Sequence, residues 1–174
     1  MKLQDQRVLV TGATAGIGQE TAKLFARRGA AVVITGRDTG RGAQTVAAIE
    51  AEGGRADFIA ADLNDLESVR GLAERAGEVD VLVNNAATVT AAPTLEQDVE
   101  SFDMMFAVDV RAPFFLTAAL LPKMIARDRV PSSISPPWAR RSASPARRSS
   151  RPPRRHWNLS PGPGRRHSAP TGFA

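Results

Sequence analysis

Arg7-Val8-Leu9-Val10-Thr11-Gly12-Ala13-Thr14-Ala15-Gly16-Ile17-Gly18 is the stretch that decides the fold. Its first six residues read as a short buried strand. Apolar positions then recur at Ile17, Leu24 and Phe25 with helical spacing. Outward from this stretch the pattern repeats. Ala31-Val32-Val33-Ile34-Thr35 is a second buried strand, and Val46 and Ile49 share one face of a second helix that Gly53-Gly54 ends. Phe58-Ile59-Ala60 is a third, weaker strand. Asn64 with Glu67 fits a capping box, and Leu66, Val69 and Leu72 follow at helical spacing. Asp80-Val81-Leu82-Val83-Asn84 is a fourth strand. A long helical stretch runs from about residue 97 to 127, with a bend expected near Ala112-Pro113. Strands alternating with helices predict right-handed crossovers and a parallel sheet. Unbroken apolar strands predict that helices cover both of its faces. The expected fold class is α/β, a doubly wound parallel sheet that stops after its fourth strand and the long helix.

The turn inside the opening stretch carries chemistry. A dinucleotide pyrophosphate needs a tight turn, close backbone approach, and a helix N-terminus that points free N–H groups at the anion. Gly12 suits the turn. Gly16 has no Cβ to obstruct the pyrophosphate. Gly18 lets the helix pack close to the strand. Glycine-rich turns often only connect elements, so the strand before and the helix after are what give the motif meaning.

The run Thr11-Gly12-x-x-x-Gly16-Ile17-Gly18 resembles the cofactor loop of the classical short-chain dehydrogenases/reductases. Asn84-Asn85-Ala86-Ala87, at the end of the fourth strand, resembles that family's N-N-A-G motif, which steadies the central sheet and lies along the cofactor. Asp62-Leu63 after the third strand matches the position of an aspartate that binds the adenine amino group; alone, Asp62 reads as a helix-capping acid. The resemblance spans about 128 residues and implies a Rossmann-type sheet. It assigns cofactor contacts to Thr11, Gly12, Thr14, Gly16, Ile17, Gly18, Arg37, Asp62, Leu63, Asn84, Asn85, Ala86 and Val110. Its seven-stranded sheet has the order 3-2-1-4-5-6-7, of which this chain supplies 3-2-1-4. It also implies a homo-oligomer and a small carbonyl or alcohol substrate.

Cofactor choice turns on Thr35-Gly36-Arg37-Asp38. An acid at the end of the second strand binds the ribose 2′-OH of NAD, whereas a nearby Arg accommodates the 2′-phosphate of NADP. By resemblance the acid position falls on Gly36, which leaves Arg37 for a phosphate and favours NADP. Two alternatives stay open. Asp38 is placed to be the ribose acid, or Arg37 and Asp38 are solvated turn residues.

The family's reaction moves a hydride between the nicotinamide and a carbonyl or alcohol. Its proton chemistry uses a Tyr-x-x-x-Lys pair, a Ser upstream of the Tyr, and an Asn on the long helix. This chain has no Tyr, and its Lys residues are Lys2, Lys23 and Lys123. The segment from Phe106 to Phe114 resembles the family's N-V-x-A-P-F stretch, with Asp109 at the Asn position. An ionised carboxylate only accepts hydrogen bonds and cannot reproduce the amide's donor. Asp109 is therefore read as a residual site position, and the chain is expected to be inactive.

Composition divides the chain. Residues 1–130 hold 14 Lys and Arg against all 18 Asp and Glu, a net −4, whereas residues 131–174 hold nine Arg, no acid and nine of the 12 Pro. The break falls at Val130-Pro131. The expected organisation is a nucleotide-binding region over 1–128 and a basic tail over 129–174. The tail lacks apolar periodicity and is expected to be disordered. Its Arg pairs, with Trp138 and Trp157, also suit nucleic-acid binding. A different origin is that Arg-Pro-Ser runs arise when GC-rich DNA is translated out of frame. Shifted by one base, residues 132–138 permit V-N-I-S-T-M and residues 152–158 permit A-S-K-A-A-L-E. These resemble the family's fifth strand and the helix bearing its catalytic Lys, although no codon choice restores the Tyr. A frameshift near residues 128–132 is the expectation. With no Cys there is no disulfide framework, and no metal site is expected. No unbroken apolar run approaches the roughly 20 residues of a membrane span. The N-terminus does not read as a signal peptide, so a cytoplasmic protein without membrane association is expected.

Overall fold

The computed structural model describes residues 3–89 and 92–126, and the tail with its disorder and nucleic-acid readings lies outside them. Strands β1 (Arg7–Thr11), β2 (Ala31–Gly36), β3 (Arg55–Ala60) and β4 (Val81–Val83) alternate with helices α1 (Gly16–Arg27), α2 (Thr39–Ala51) and α3 (Leu66–Ala76). After β4 come a 3-10 turn (Thr94–Glu96), α4 (Val99–Phe106), a π-helical turn (Ala107–Arg111) and α5 (Ala112–Ala126). The sheet has the order β3-β2-β1-β4 and every pairing is parallel, as the sequence pattern predicts. Val8 is in register with Val32 on one side and Val81 on the other.

Alternate side chains of the central strands enter two cores. Val8, Val10, Val32 and Ile34 meet Ala22, Ala26 and Ile49 on the face covered by α1 and α2. Leu9 and Val33 meet Val69, Leu72, Leu116 and Leu120 on the face covered by α3 and α5. Burial on both faces explains why these strands read as unbroken apolar runs. Each fully buried aliphatic side chain contributes about 1.5–3 kcal/mol. β3 is one edge strand of this sheet and alternates exposed and less exposed positions, so its polar start at Arg55 does not read as strand. β2 supplies its partners instead, pairing Ala31 with Arg55 and Val33 with Asp57.

Three local expectations are corrected. Ile17 and Leu24 do not face the core: they are 81% and 47% exposed, and α1 buries Gly18, Ala22 and Ala26 instead. The helix lies close to the sheet over these small residues, and of the three expected apolar positions Phe25 packs, half-buried, against the core. The N-cap of α3 is Asp65, not Asn64; its carboxylate accepts from the Glu67 and Ser68 amides. Asn64 is held outside the helix, where its N–H donates to Asp62 Oδ1 over 3.0 Å. The long helix is modulated before Ala112-Pro113. Over Ala107–Arg111 it widens into a π-turn, in which the Ala112 N–H donates to the Ala107 carbonyl. Pro113 has no N–H for the Asp109 carbonyl, so the α-helical ladder is interrupted at that point in any case.

By length and composition, the helical run Val99–Ala126 is apolar enough to cross a membrane, with a mean hydropathy of 1.6 over an 18-residue window. The absence of an unbroken apolar run in the sequence therefore does not exclude such a helix. A core helix passes the same test, and Ala112, Leu116, Leu120 and Met124 of α5 are buried in the protein. Phe102, Phe106, Phe114 and Phe115 are exposed on this run, Phe102 stacked on Phe106 and Phe114 edge-on to Phe115.

Candidate functional site

A parallel sheet whose strand order reverses leaves a crevice beyond the carboxyl ends of its strands. Here the order reverses between β1 and β4, and a groove of ≈ 380 Å³ lies at that end of the sheet. Gly12 and Thr14 line it from the β1–α1 loop, and Gly36, Arg37, Asp38 and Arg41 from the end of β2 and the start of α2. Asp62 and Leu63 follow β3, and Asn85, Ala86 and Thr88 follow β4. Met104 and Val108 approach from α4 and the π-turn. The volume is within the usual range for small-molecule pockets, about 300–1,000 Å³.

The β1–α1 loop needs its glycines for separate reasons. Gly12 has φ +64°, and a Cβ there would lie 2.8 Å from the Ala86 Cα. Gly16 has φ +56° and open space where its Cβ would be. A side chain at residue 18 would lie 2.3 Å from Asn85 Nδ2 and 2.4 Å from the Gly12 carbonyl oxygen. Gly18 thus serves the loop's own fastening as well as helix packing. Asn85 is that fastening: its Nδ2 donates to the Thr11 and Gly12 carbonyls over 2.9 and 3.2 Å. Thr11 completes it, since Oγ1 accepts from the Asn85 and Ala86 amides at 3.0 Å each. Thr11 is buried and lies behind the groove, not on its wall.

Helices α2, α3 and α4 carry Asp38, Asp65 and Asp98 as N-caps, each accepting a backbone N–H. At α1 the N-cap is Ala15, no side chain caps it, and its first turn has no acid. Its amides and the positive end of its dipole are left for an external anion.

The β2–α2 corner is asymmetric in charge. Asp38 accepts from the Arg41 amide at 2.9 Å and from Arg41 Nε at 2.8 Å. These hydrogen bonds hold its carboxyl below the ordinary value. Both oxygens are engaged, which weighs against Asp38 as the ribose acid. Arg37 makes no side-chain hydrogen bond or ion pair among the described residues.

Other expected residues stand apart from this groove. Gly16 and Ile17 line a shallow surface groove along α1. Asn84 is exposed, with Nδ2 3.5 Å from Thr117 Oγ1, a contact at the limit of hydrogen-bond length. Val110 is 49% exposed on the π-turn. Asp109 is exposed, and its Oδ1 accepts from the Thr88 amide over 2.9 Å. It thereby fixes the loop after β4 with the acceptor it retains. Sequence reasoning missed Arg41, Thr88 and Met104. Arg41 carried the one available signal, a cation on the first turn of the helix after β2.

A family model described as short chain dehydrogenase matches residues 6–131. The chain belongs to the short-chain dehydrogenase/reductase family. An uncharacterized oxidoreductase of Thermotoga maritima is 40% identical over 126 residues, which covers 71% of this chain and 50% of that protein. A solved structure of a short chain dehydrogenase/reductase family protein superposes with a TM-score of 0.69 at 50% identity, over 73% of this chain and 53% of the other. A metagenomic short-chain oxidoreductase in complex with NADP gives a TM-score of 0.69 at 35% identity, over 72% and 59%. The chain spans about half the length of the curated relatives it matches. As a member of this family it has the expected Rossmann-type sheet.

Proposed function

We propose that residues 6–126 are the nucleotide-binding half of a short-chain oxidoreductase, that their groove prefers NADP(H), and that the 174-residue chain does not itself turn over. One observation carries this reading: Arg37, on the groove wall and without a side-chain partner among the described residues, is matched by the uncapped α1 N-terminus that follows the groove-lining Thr14. Their chemistry suits the two anionic parts of NADP, a pyrophosphate and a 2′-phosphate. The bound cofactor supplies hydride chemistry toward a carbonyl or alcohol. The chain's own residues supply the rest of the binding. Gly12 and Thr14 line the groove from the β1–α1 loop, and Asp62 keeps one carboxylate oxygen beyond its bond to the Asn64 amide. Asp109 is engaged with Thr88, and with no Tyr the chain has no family acid to protonate a reduced oxygen.

NADPH fluorescence titration tests binding, and loss of absorbance with a panel of aldehydes tests turnover. Saturable NADPH binding without turnover is expected. Arg37→Ala is expected to weaken NADPH by about tenfold or more, the worth of a charge-assisted hydrogen bond, and NADH much less. Sustained turnover by the purified chain, or equal losses for both cofactors, would overturn the reading.

The tail belongs to the same proposal. The family match ends at residue 131, where the composition changes at Val130-Pro131. This coincidence supports a frameshift near residues 128–132. Sequencing the gene across codons 125–135 decides it, and an alternative frame that soon meets stop codons sinks it.

A further inference from the structure

Gly36 closes β2 without a left-handed backbone, so its conformation does not require glycine. Space does. A Cβ at residue 36 would lie 2.7 Å from Thr14 Cγ2 and 3.0 Å from Thr14 Oγ1, but 3.5 Å from Thr14 Cβ. The two terminal atoms of one loop side chain therefore fill the volume that any side chain at residue 36 needs. Thr14 comes from the β1–α1 loop and lines the same groove as Gly36, Arg37 and Arg41. Position 36 is also where an acid would grip a ribose diol by family resemblance. The nearest alternative acid, Asp38, already holds the Arg41 amide and Nε. This end of the groove thus presents two guanidinium groups and no uncommitted carboxylate among the residues that line it around β2 and α2.

We infer that Thr14 is a specificity-determining residue that acts as a steric gate on position 36, so that preference for a 2′-phosphorylated dinucleotide is set by the Thr14–Gly36 pair and not by position 36 alone. The inference rests on the reading that this groove holds a nicotinamide dinucleotide. It has a consequence that a single-position rule lacks. Installing an acid at residue 36 does not convert the site while Thr14 remains, because the new side chain and the loop compete for one volume. Removing Cγ2 and Oγ1 leaves ordinary van der Waals contact at 3.5 Å, so the Cβ of the acid then fits.

The test uses the full chain as wild type, Gly36→Asp, and Gly36→Asp with Thr14→Ala, each titrated with NADPH and NADH. Overpacking predicts that G36D alone weakens both cofactors by about tenfold. The double variant is expected to regain NADH and to favour it over NADPH. Thermal melts of Gly36→Ala, with and without Thr14→Ala, read the same contact without any cofactor. G36A is expected to lower Tm, and T14A to restore it. If G36D alone binds NADH as tightly as the double variant, or if G36A melts like wild type, the gate is wrong. If the melts show the coupling but wild type binds neither cofactor, the dinucleotide reading fails and takes the specificity claim with it. If wild type binds NADPH but the melts show no coupling, only the gate fails.

Discussion

Replacing Asn85 by Ala, and separately by Asp, isolates the fastening of the phosphate-binding loop. Asn85 Nδ2 reaches two backbone carbonyls, Thr11 and Gly12, from a half-buried position. Each such bond contributes about 0.5–1.5 kcal/mol net, so Asn85→Ala is expected to cost about 1–3 kcal/mol. For a domain of this size that corresponds to roughly 3–5 °C in Tm per kcal/mol. Asn85→Asp keeps the shape and reverses the chemistry, since a carboxylate offers those carbonyls only acceptors. At neutral pH it should therefore cost about 1 kcal/mol more than the alanine variant. The sign of its pH dependence follows. The fold disfavours the charged form of the introduced carboxyl, so its folded pKa rises above the unfolded value of about 3.9. Its penalty is full above the folded pKa and fades as pH falls through that value, because the protonated acid regains one donor. Urea unfolding of the full chain followed by circular dichroism at several pH values, with unchanged slope as a check, measures all three proteins. The argument is refuted if Asn85→Ala unfolds within about 0.5 kcal/mol of wild type, or if the two variants are indistinguishable at neutral pH.

Other outcomes follow from the same geometry. Gly12 and Gly53 both have left-handed φ, +64° and +78°, but only at Gly12 would a Cβ meet backbone. Gly53→Ala should cost about 1–2 kcal/mol and Gly12→Ala clearly more, by urea titration. Asp38 has a depressed folded pKa, so its cap on α2 should persist from neutral pH downward past the unfolded value of about 3.9. It should fail only as pH drops through the lower folded value, seen as faster exchange of the Arg41 amide; loss of protection already near pH 6 contradicts this. Asp109→Asn keeps an acceptor for the Thr88 amide and should leave stability within about 0.5 kcal/mol, whereas Asp109→Ala should lose about 1 kcal/mol. Equal effects in thermal melts would show that the bond to Thr88 contributes nothing.

The doubly wound pattern was legible because β1 and β2 are buried on both faces, which forces unbroken apolar runs. β3 was only partly legible. Arg55 and Asp57 carry no apolar signal and become strand through pairing with Ala31 and Val33. The start of α3 was misplaced by one residue because Asn64 and Asp65 are both good caps, and only the local turn from Asp62 to Asn64 decides between them. In α1 the apolar spacing misled, since the close approach to the sheet favours alanines over Ile17 and Leu24. The loop glycines announced the site. What they did not announce was the division of labour. Thr11 and Asn85 brace the loop from behind, Asp38 is committed to Arg41, and the packing of Thr14 over Gly36 joins residues far apart in sequence.

The register of β1 also bears on the order in which the molecule assembles. Val8 meets Val32 about 24 residues away and Val81 about 73 residues away, and closing the longer loop costs about 1 kcal/mol more entropy. β1, α1 and β2 are therefore suited to dock first, with β4 arriving later. Asn85 travels with β4. The loop between β1 and α1 can thus form before the Asn85 bonds that tie it down, which wait for β4 to pair.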